Sequence, residues 1–177
     1  LNRDTDNAQL IFESMNSTGR ELSQADLIRN FILMGLDPDL QTELYEVYWR
    51  PMERQFGQEA YDRQFDGFIR NYLTFKTGSQ PRLGDIYESF KTYAIQQGLN
   101  SDSIRNLVHD VKTYADFYCR IALGQEKHAK LHAAFQDLAQ ELNTTVAFPF
   151  ILFMYGDYNQ GILSEDEFLT AVRLVES

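Results

Sequence analysis

The sequence predicts an all-α fold, an irregular array of about eight or nine helices with no sheet. Three observations lead there. Apolar residues recur at three- and four-residue spacing in almost every segment. No stretch alternates β-branched and polar residues as a half-buried strand does. Capping residues, glycines and prolines punctuate the chain at helix-length intervals. The 177 residues can bury a sizeable core, and a 44% hydrophobic fraction is ordinary for a folded protein.

In chain order, Ala8, Ile11, Phe12 and Met15 mark one face of a first helix, behind caps at Asp4 or Asp6. Asn16-Ser17-Thr18-Gly19-Arg20 is a turn cluster. Ser23 opens a second helix with Asp26 three residues on, a pair that ties down free amide groups at a helix start. Leu27, Ile28, Phe31 and Ile32 are its apolar stripe, and Gly35 ends it. Asp37-Pro38 is a cap followed by a first-turn proline. The third helix runs through Leu40, Leu44, Val47 and Tyr48 and is expected to break or kink at Pro51, which lacks an N–H.

Tyr61, Phe65, Phe68, Ile69 and Tyr72 make the aromatic stripe of a fourth helix, before a loop from Thr77 to Gly84. Ile86, Phe90 and Ala94 mark a fifth, closed at Gln97-Gly98. Ser101 is the expected cap of a long sixth helix through Ile104, Leu107, Val108, Val111, Ala115 and Tyr118, ended by Gly124. Leu131, Phe135, Leu138, Ala139 and Leu142 form the seventh stripe. Val146 to Tyr155, with Pro149 inside it, is expected to be a bent, buried helix. Ser164 and Glu167 bracket the capping box of a last helix that continues through Val175.

No apolar run approaches the roughly 20 residues of a membrane span, and no signal peptide is evident, so a soluble cytoplasmic setting is expected. One cysteine, Cys119, leaves no internal disulfide framework and no multi-cysteine zinc site. The formal charge of −10 argues against wrapping nucleic acid by bulk electrostatics. Arg50, Arg54, Arg63, Arg70, Lys76 and Arg82 nevertheless form a locally basic stretch, while residues after Asp137 are mostly acidic. Leu1 opens in mid-pattern and helical character persists to the end, so the sequence is expected to be a piece of a longer chain.

Catalytic and metal patterns come down to a few residues. His128 and His132 stand four apart, as paired zinc ligands would, but Ala129 occupies the position where a zincin has its glutamate. Lys127 and Lys130 beside them repel a cation, so surface histidines are the better reading, and His109 is expected to be exposed. Asp157 to Phe168 resembles a calcium loop, yet its glycine comes one residue early and a ligand position is missing. A helix end, a turn and the capping box account for it. Cys119 has no base or cation beside it in sequence and is expected to be a buried structural cysteine. No catalytic residue and no metal ligand is assigned.

The densest polar region is the helix-turn-helix from Phe12 to Asn30, where Asp26, Arg29 and Asn30 project towards one side. It either shapes a tight corner between helices or presents Asn16, Asp26, Arg29 or Asn30 to a site completed by an upstream domain. This stretch resembles the signature Ala-x-x-Ile-Phe-Glu-x-Leu/Met-Asn-x-x-Gly-x-x-Leu-x-x-x-Asp-Leu-Ile-x-Asn of the GmrSD-like family of type IV, modification-dependent restriction proteins. The match runs from Ala8 to Asn30, with Asn16, Gly19, Leu22, Asp26 and Asn30 at motif positions. Weaker matches are Tyr48 to Glu53 with Phe56-Gly57, and Arg173 to Ser177.

The resemblance implies a ParB-like upstream domain with an Asp-Gly-Gln-Gln-Arg motif linked to nucleotide hydrolysis, a helical region, and an HNH nuclease that cuts modified DNA. Neither that motif nor an HNH histidine cluster lies in this sequence. On that basis residues 1–35 are the trailing helices of the upstream domain and 36–177 a helical connector. The expected partners are the remaining N- and C-terminal domains of the same chain and, through the parent, modified DNA. Nucleotide and divalent metal belong to the parent, and no cofactor is expected in the fragment. Arg50, Arg54, Arg63 and Arg70 are the candidate contacts to DNA phosphate. The rival expectation is a protein-interaction or scaffold module with no enzymatic parent.

Overall fold

The structure, a computed structural model, describes residues 22–141 and 147–176. Its elements are α1 (Gln24–Leu33), α2 (Pro38–Glu43), a π-helical turn (Leu44–Trp49), α3 (Arg50–Phe56), α4 (Gln58–Thr77), a 3-10 turn (Leu83–Asp85), α5 (Ile86–Gln97), α6 (Ser101–Ala122), α7 (Ala129–Glu141), α8 (Phe148–Asn159) and α9 (Glu165–Glu176). The fold is all-α, with no strand among the described residues. None of the described helices is long and apolar enough to cross a membrane. The expected first helix, the Asn16–Arg20 turn and Leu142 lie outside the described residues.

Local chemistry sets most boundaries. Ser23 Oγ accepts the Asp26 N–H at 3.1 Å, and Asp26 accepts the Ser23 N–H at 3.1 Å, so α1 opens on the reciprocal cap expected. Asp37 accepts the N–H groups of Asp39 and Leu40 at 3.1 Å each, with Pro38 in the first turn of α2. Two expectations are corrected. The cap of α6 is Asn100, whose Oδ1 accepts the Ser103 N–H at 2.9 Å, with Ser101 already inside the helix. An asparagine caps as well as a serine, and here it is the last residue with extended backbone.

Pro51 does not break the third helix. The chain from Pro38 to Phe56 is one continuous rod, widened into a π turn just ahead of the proline, where the Arg50 N–H reaches back five residues to Tyr45. The wider turn changes the register at the point where Pro51 has no N–H to donate. It also buries both Leu44 and Trp49. Gly57, at φ 77°, turns the rod into α4 in a single residue, a conformation that other residues resist.

α4 is the central element. Phe65, Phe68, Ile69, Tyr72 and Leu73 are buried along it. Trp49 and Phe56 of the rod close on the Phe65 ring at 5.5 Å each, and Tyr118 of α6 meets Phe68 at 5.5 Å. On the far side Tyr155 of α8 stacks on Phe117 at 4.4 Å and meets Phe168 of α9 at 5.3 Å, which in turn meets Phe135 of α7 at 6.1 Å. Ala25, Ile28, Phe31 and Ile32 of α1 belong to this same core.

Two packing expectations also change. In α7 the buried alanine is Ala134, one turn from Leu131 and Leu138, while Ala139 is exposed. α8 is buried on one side only, and Phe150 and Phe153 keep 51% and 47% of their surface exposed. The helix is apolar on every side, and among the described residues its neighbours are α4, α6, α7 and α9.

Truncating Phe68 to alanine removes a ring in contact with Phe56, Phe65, Tyr72 and Tyr118, and is expected to cost about 3–5 kcal/mol in chemical denaturation. Leu83→Ala, at an exposed position, is expected to stay within about 0.5 kcal/mol.

Candidate functional site

The described part of the signature ends in a polar seam between α1, α3 and α4. The capping box fixes Asp26, and Asp26 Oδ1 stands 3.1 Å from Arg29 Nη2 one turn on. Arg29 Nη1 reaches across to Glu53 Oε1 of α3 at 3.2 Å. The same Glu53 oxygen accepts the Trp49 indole N–H at 3.1 Å, and that N–H also lies 3.1 Å from Tyr61 OH. Asp26, Arg29 and Glu53 are each about a quarter exposed, so the chain is screened less than a surface pair. Burial first, then the Glu53 carboxylate, lifts the Tyr61 phenol far above its ordinary range, so it remains a neutral partner. Asp66 beneath the seam is raised by burial and by Asp26, against the Ala25 N–H it accepts.

Of the three residues expected to project towards one side, Asp26 and Arg29 pair with each other. Asn30, one turn after Asp26, lines a neighbouring groove of about 400 Å³ with Leu33, Met34, Gln41, Thr42 and Tyr45. Leu22 is half-buried just before α1, and Asn16 and Gly19 lie outside the described residues. At the start of α1 Gln24 accepts the Tyr87 N–H of α5 at 2.7 Å. The seam therefore binds the signature helix to two neighbours. Chemically it is a closed chain of paired charges, fitted to hold elements together.

The candidate phosphate contacts are largely engaged. Arg50 pairs with Glu46 at 2.9 Å and Arg63 with Glu59 at 2.8 Å, while Arg70 donates to the Pro81 carbonyl at 2.8 Å. Arg54 is in the last turn of α3 and has no ion pair among the described residues. His128 is half-buried rather than on the open surface, and its Nε2 stands 3.1 Å from Glu165 of α9. His109 is exposed and touches Tyr48 edge-on. At the calcium-like stretch the Asp157 carbonyl accepts N–H groups from Ile162 and Leu163 at 2.9 and 3.3 Å, and Ser164 and Glu167 form the capping box. Among the described residues no group of three or more His, Cys, Asp or Glu is placed to hold a metal ion. Cys119 is buried, which with the nearby Asp116 carboxylate pushes its thiol up to about 12.

Two polar clusters went unseen in the sequence. Lys76 pairs with Asp110 at 2.8 Å, and Asp110 also accepts the Tyr72 hydroxyl at 2.5 Å. The ammonium lies 5.1–5.6 Å from the rings of Tyr72, Phe75 and Tyr114. Burial opposes its charge, but Asp110 outweighs that, and the net shift is upward. The second centres on the buried Glu126, which accepts the Tyr155 hydroxyl and, at 2.9 Å, the His128 N–H. Arg120 joins it to Asp116 at 2.8 Å, and Asp116 accepts from Gln55 at 2.6 Å. Lys76 sitting one turn from Tyr72 was a readable hint, but its partner on another helix was not.

A double-mutant cycle of Arg29→Met with Glu53→Gln, read by urea unfolding, is expected to give a coupling of about 1 kcal/mol. At pH 8 a thiol held near 12 is thiolate in only about one part in ten thousand. Cys119 is therefore expected to resist DTNB in the native protein and to react promptly in denaturant. No protein-family model, curated protein or solved structure matches this chain.

Proposed function

We propose that this chain is the helical connector of a GmrSD-like, modification-dependent restriction protein. It carries the state of an upstream nucleotide-hydrolysing domain to a downstream nuclease and performs no chemical step itself. Nucleotide, divalent metal and modified DNA are handled by the parent protein. The observation that carries the reading is the tether on the signature helix. Asp26 holds Arg29, Arg29 holds Glu53, and Gln24 holds α5, so a shift of α1 strains its contacts with α3 and α5. A connector needs such a coupled element, because transmission requires that both ends bias one packed unit. The resemblance from Ala8 to Asn30 supports the family reading.

In the parent, Arg29→Met is expected to leave nucleotide hydrolysis intact while lowering nucleotide-dependent cleavage of modified DNA. Equal loss of both activities, or of neither, would remove the coupling role. Sequencing outwards from this region tests the parent itself: an Asp-Gly-Gln-Gln-Arg motif upstream and an HNH histidine cluster downstream are expected.

For phosphate contact, Arg54→Glu with Arg63→Glu is the informative pair, since Arg70 holds the Pro81 carbonyl. Weaker duplex binding by the parent at low salt is expected, with the salt slope reduced by about 1 for each phosphate no longer neutralised. An unchanged slope would exclude these arginines.

A further inference from the structure

α8 carries no charged side chain from Phe148 to Gly156, and its inner side is filled by Pro149, Ile151, Leu152 and Tyr155. Phe150 and Phe153 stand outward one turn apart, and the Phe153 ring lies 6.4 Å from Phe75 at the end of α4. The other large apolar side chains exposed among the described residues, such as Leu83 and Ile95, sit singly on other elements. A lone exposed side chain needs no explanation, but adjoining aromatic rings on one face do.

Asp157 is the charge that the helix period sets on this face, in a chain of net charge −10. From Asp137 onward the sequence has seven carboxylates and one cationic side chain, Arg173. Asp157 lies one turn beyond Phe153 on the same face of α8, and neither it nor Asp166 has an ion pair among the described residues. Glu165 is met by His128 and Lys130, and Glu167 by the Ser164 cap. Lys76 is close to the Phe75 ring, and Asp110 meets its charge.

We infer that the outer face of α8, centred on Phe150 and Phe153, docks a basic amphipathic helix of a partner protein. Apolar side chains at i, i+3, i+4 and i+7 of such a helix cover the two rings. Its flanking lysines or arginines meet Asp157 and the net negative charge of the chain. A second copy of this chain brings the same −10 charge and is the poorer fit. The inference does not depend on a nuclease parent.

The test uses a labelled Leu/Lys amphipathic peptide of about 16 residues, long enough for helix formation, and its counterpart with every Lys replaced by Glu. Fluorescence anisotropy is expected to show binding of the basic peptide alone. Phe150→Ser with Phe153→Ser is expected to weaken it at least about tenfold, as loss of a central aromatic anchor does. Asp157→Lys is expected to weaken binding and flatten its salt dependence. Equal binding of both peptides overturns the inference, as does unchanged binding by a serine variant that melts like the parent chain. If the serine variant melts earlier, Asp157→Lys decides, and unchanged binding there overturns it. Sedimentation showing a dimer that the serine variant dissociates assigns the face to a second copy instead.

Discussion

Burying aromatic side chains that carry polar heads is the constraint on which the rest of the structure depends. α4 places Tyr72 among fully buried rings, the π turn does the same for Trp49, and α8 buries Tyr155. Each indole N–H or phenol hydroxyl loses water and must find an acceptor inside the protein. The acceptors are carboxylates, Asp110 for Tyr72, Glu53 for Trp49 and Glu126 for Tyr155. A carboxylate drawn towards a core needs donors of its own. Lys76 answers Asp110, Arg29 answers Glu53, and the His128 N–H answers Glu126. The same sequence of demands thus appears three times in one molecule.

The signature's polar density gains a physical meaning from this. Asp26 has two tasks, closing the cap of α1 and aiming Arg29. Arg29 in turn completes the environment of Trp49 through Glu53. A motif that reads as a candidate binding site is, over its described residues 22–30, a joint. That joint ties α1 to α3 through the Arg29–Glu53 pair. The neighbouring groove at Asn30 remains open, and its walls are formed by α1 and the first half of the rod.

What could be read in the sequence was local. The caps at Ser23, Asp37 and Ser164, the stripe of α4 and the end of α5 at Gly98 all rest on residues within one or two turns of each other. Even there the register could slip by one residue, as at Asn100, because Ser101 is an equally good cap by type. The π turn was invisible because Pro51 announces a missing donor but not how the chain accommodates it. The seam, the Lys76 cluster and the Glu126 cluster join residues 24, 38 and 29 positions apart. Periodicity identifies which face of a helix is apolar and leaves open which helix it meets. Long-range polar partners therefore stayed out of reach.

α8 shows the same limit in the opposite sense. A helix apolar on every side is expected to be buried on every side. Its rotation is set by contacts that permit no roll. Gly156 lies so close to Tyr114 that a Cβ there would stand 3.1 Å from the ring carbon Cζ, and Tyr155 is packed between Phe117 and Phe168. With those two positions locked inward, the 3.6-residue period fixes Phe150 and Phe153 outward. Rolling the helix to hide them would expose Tyr155 and part its hydroxyl from Glu126. That roll would leave Glu126 with the His128 N–H alone and bring the Tyr155 ring into water, two costs that oppose it. The outward placement of Phe150 and Phe153 is therefore a consequence of how the core satisfies its polar groups.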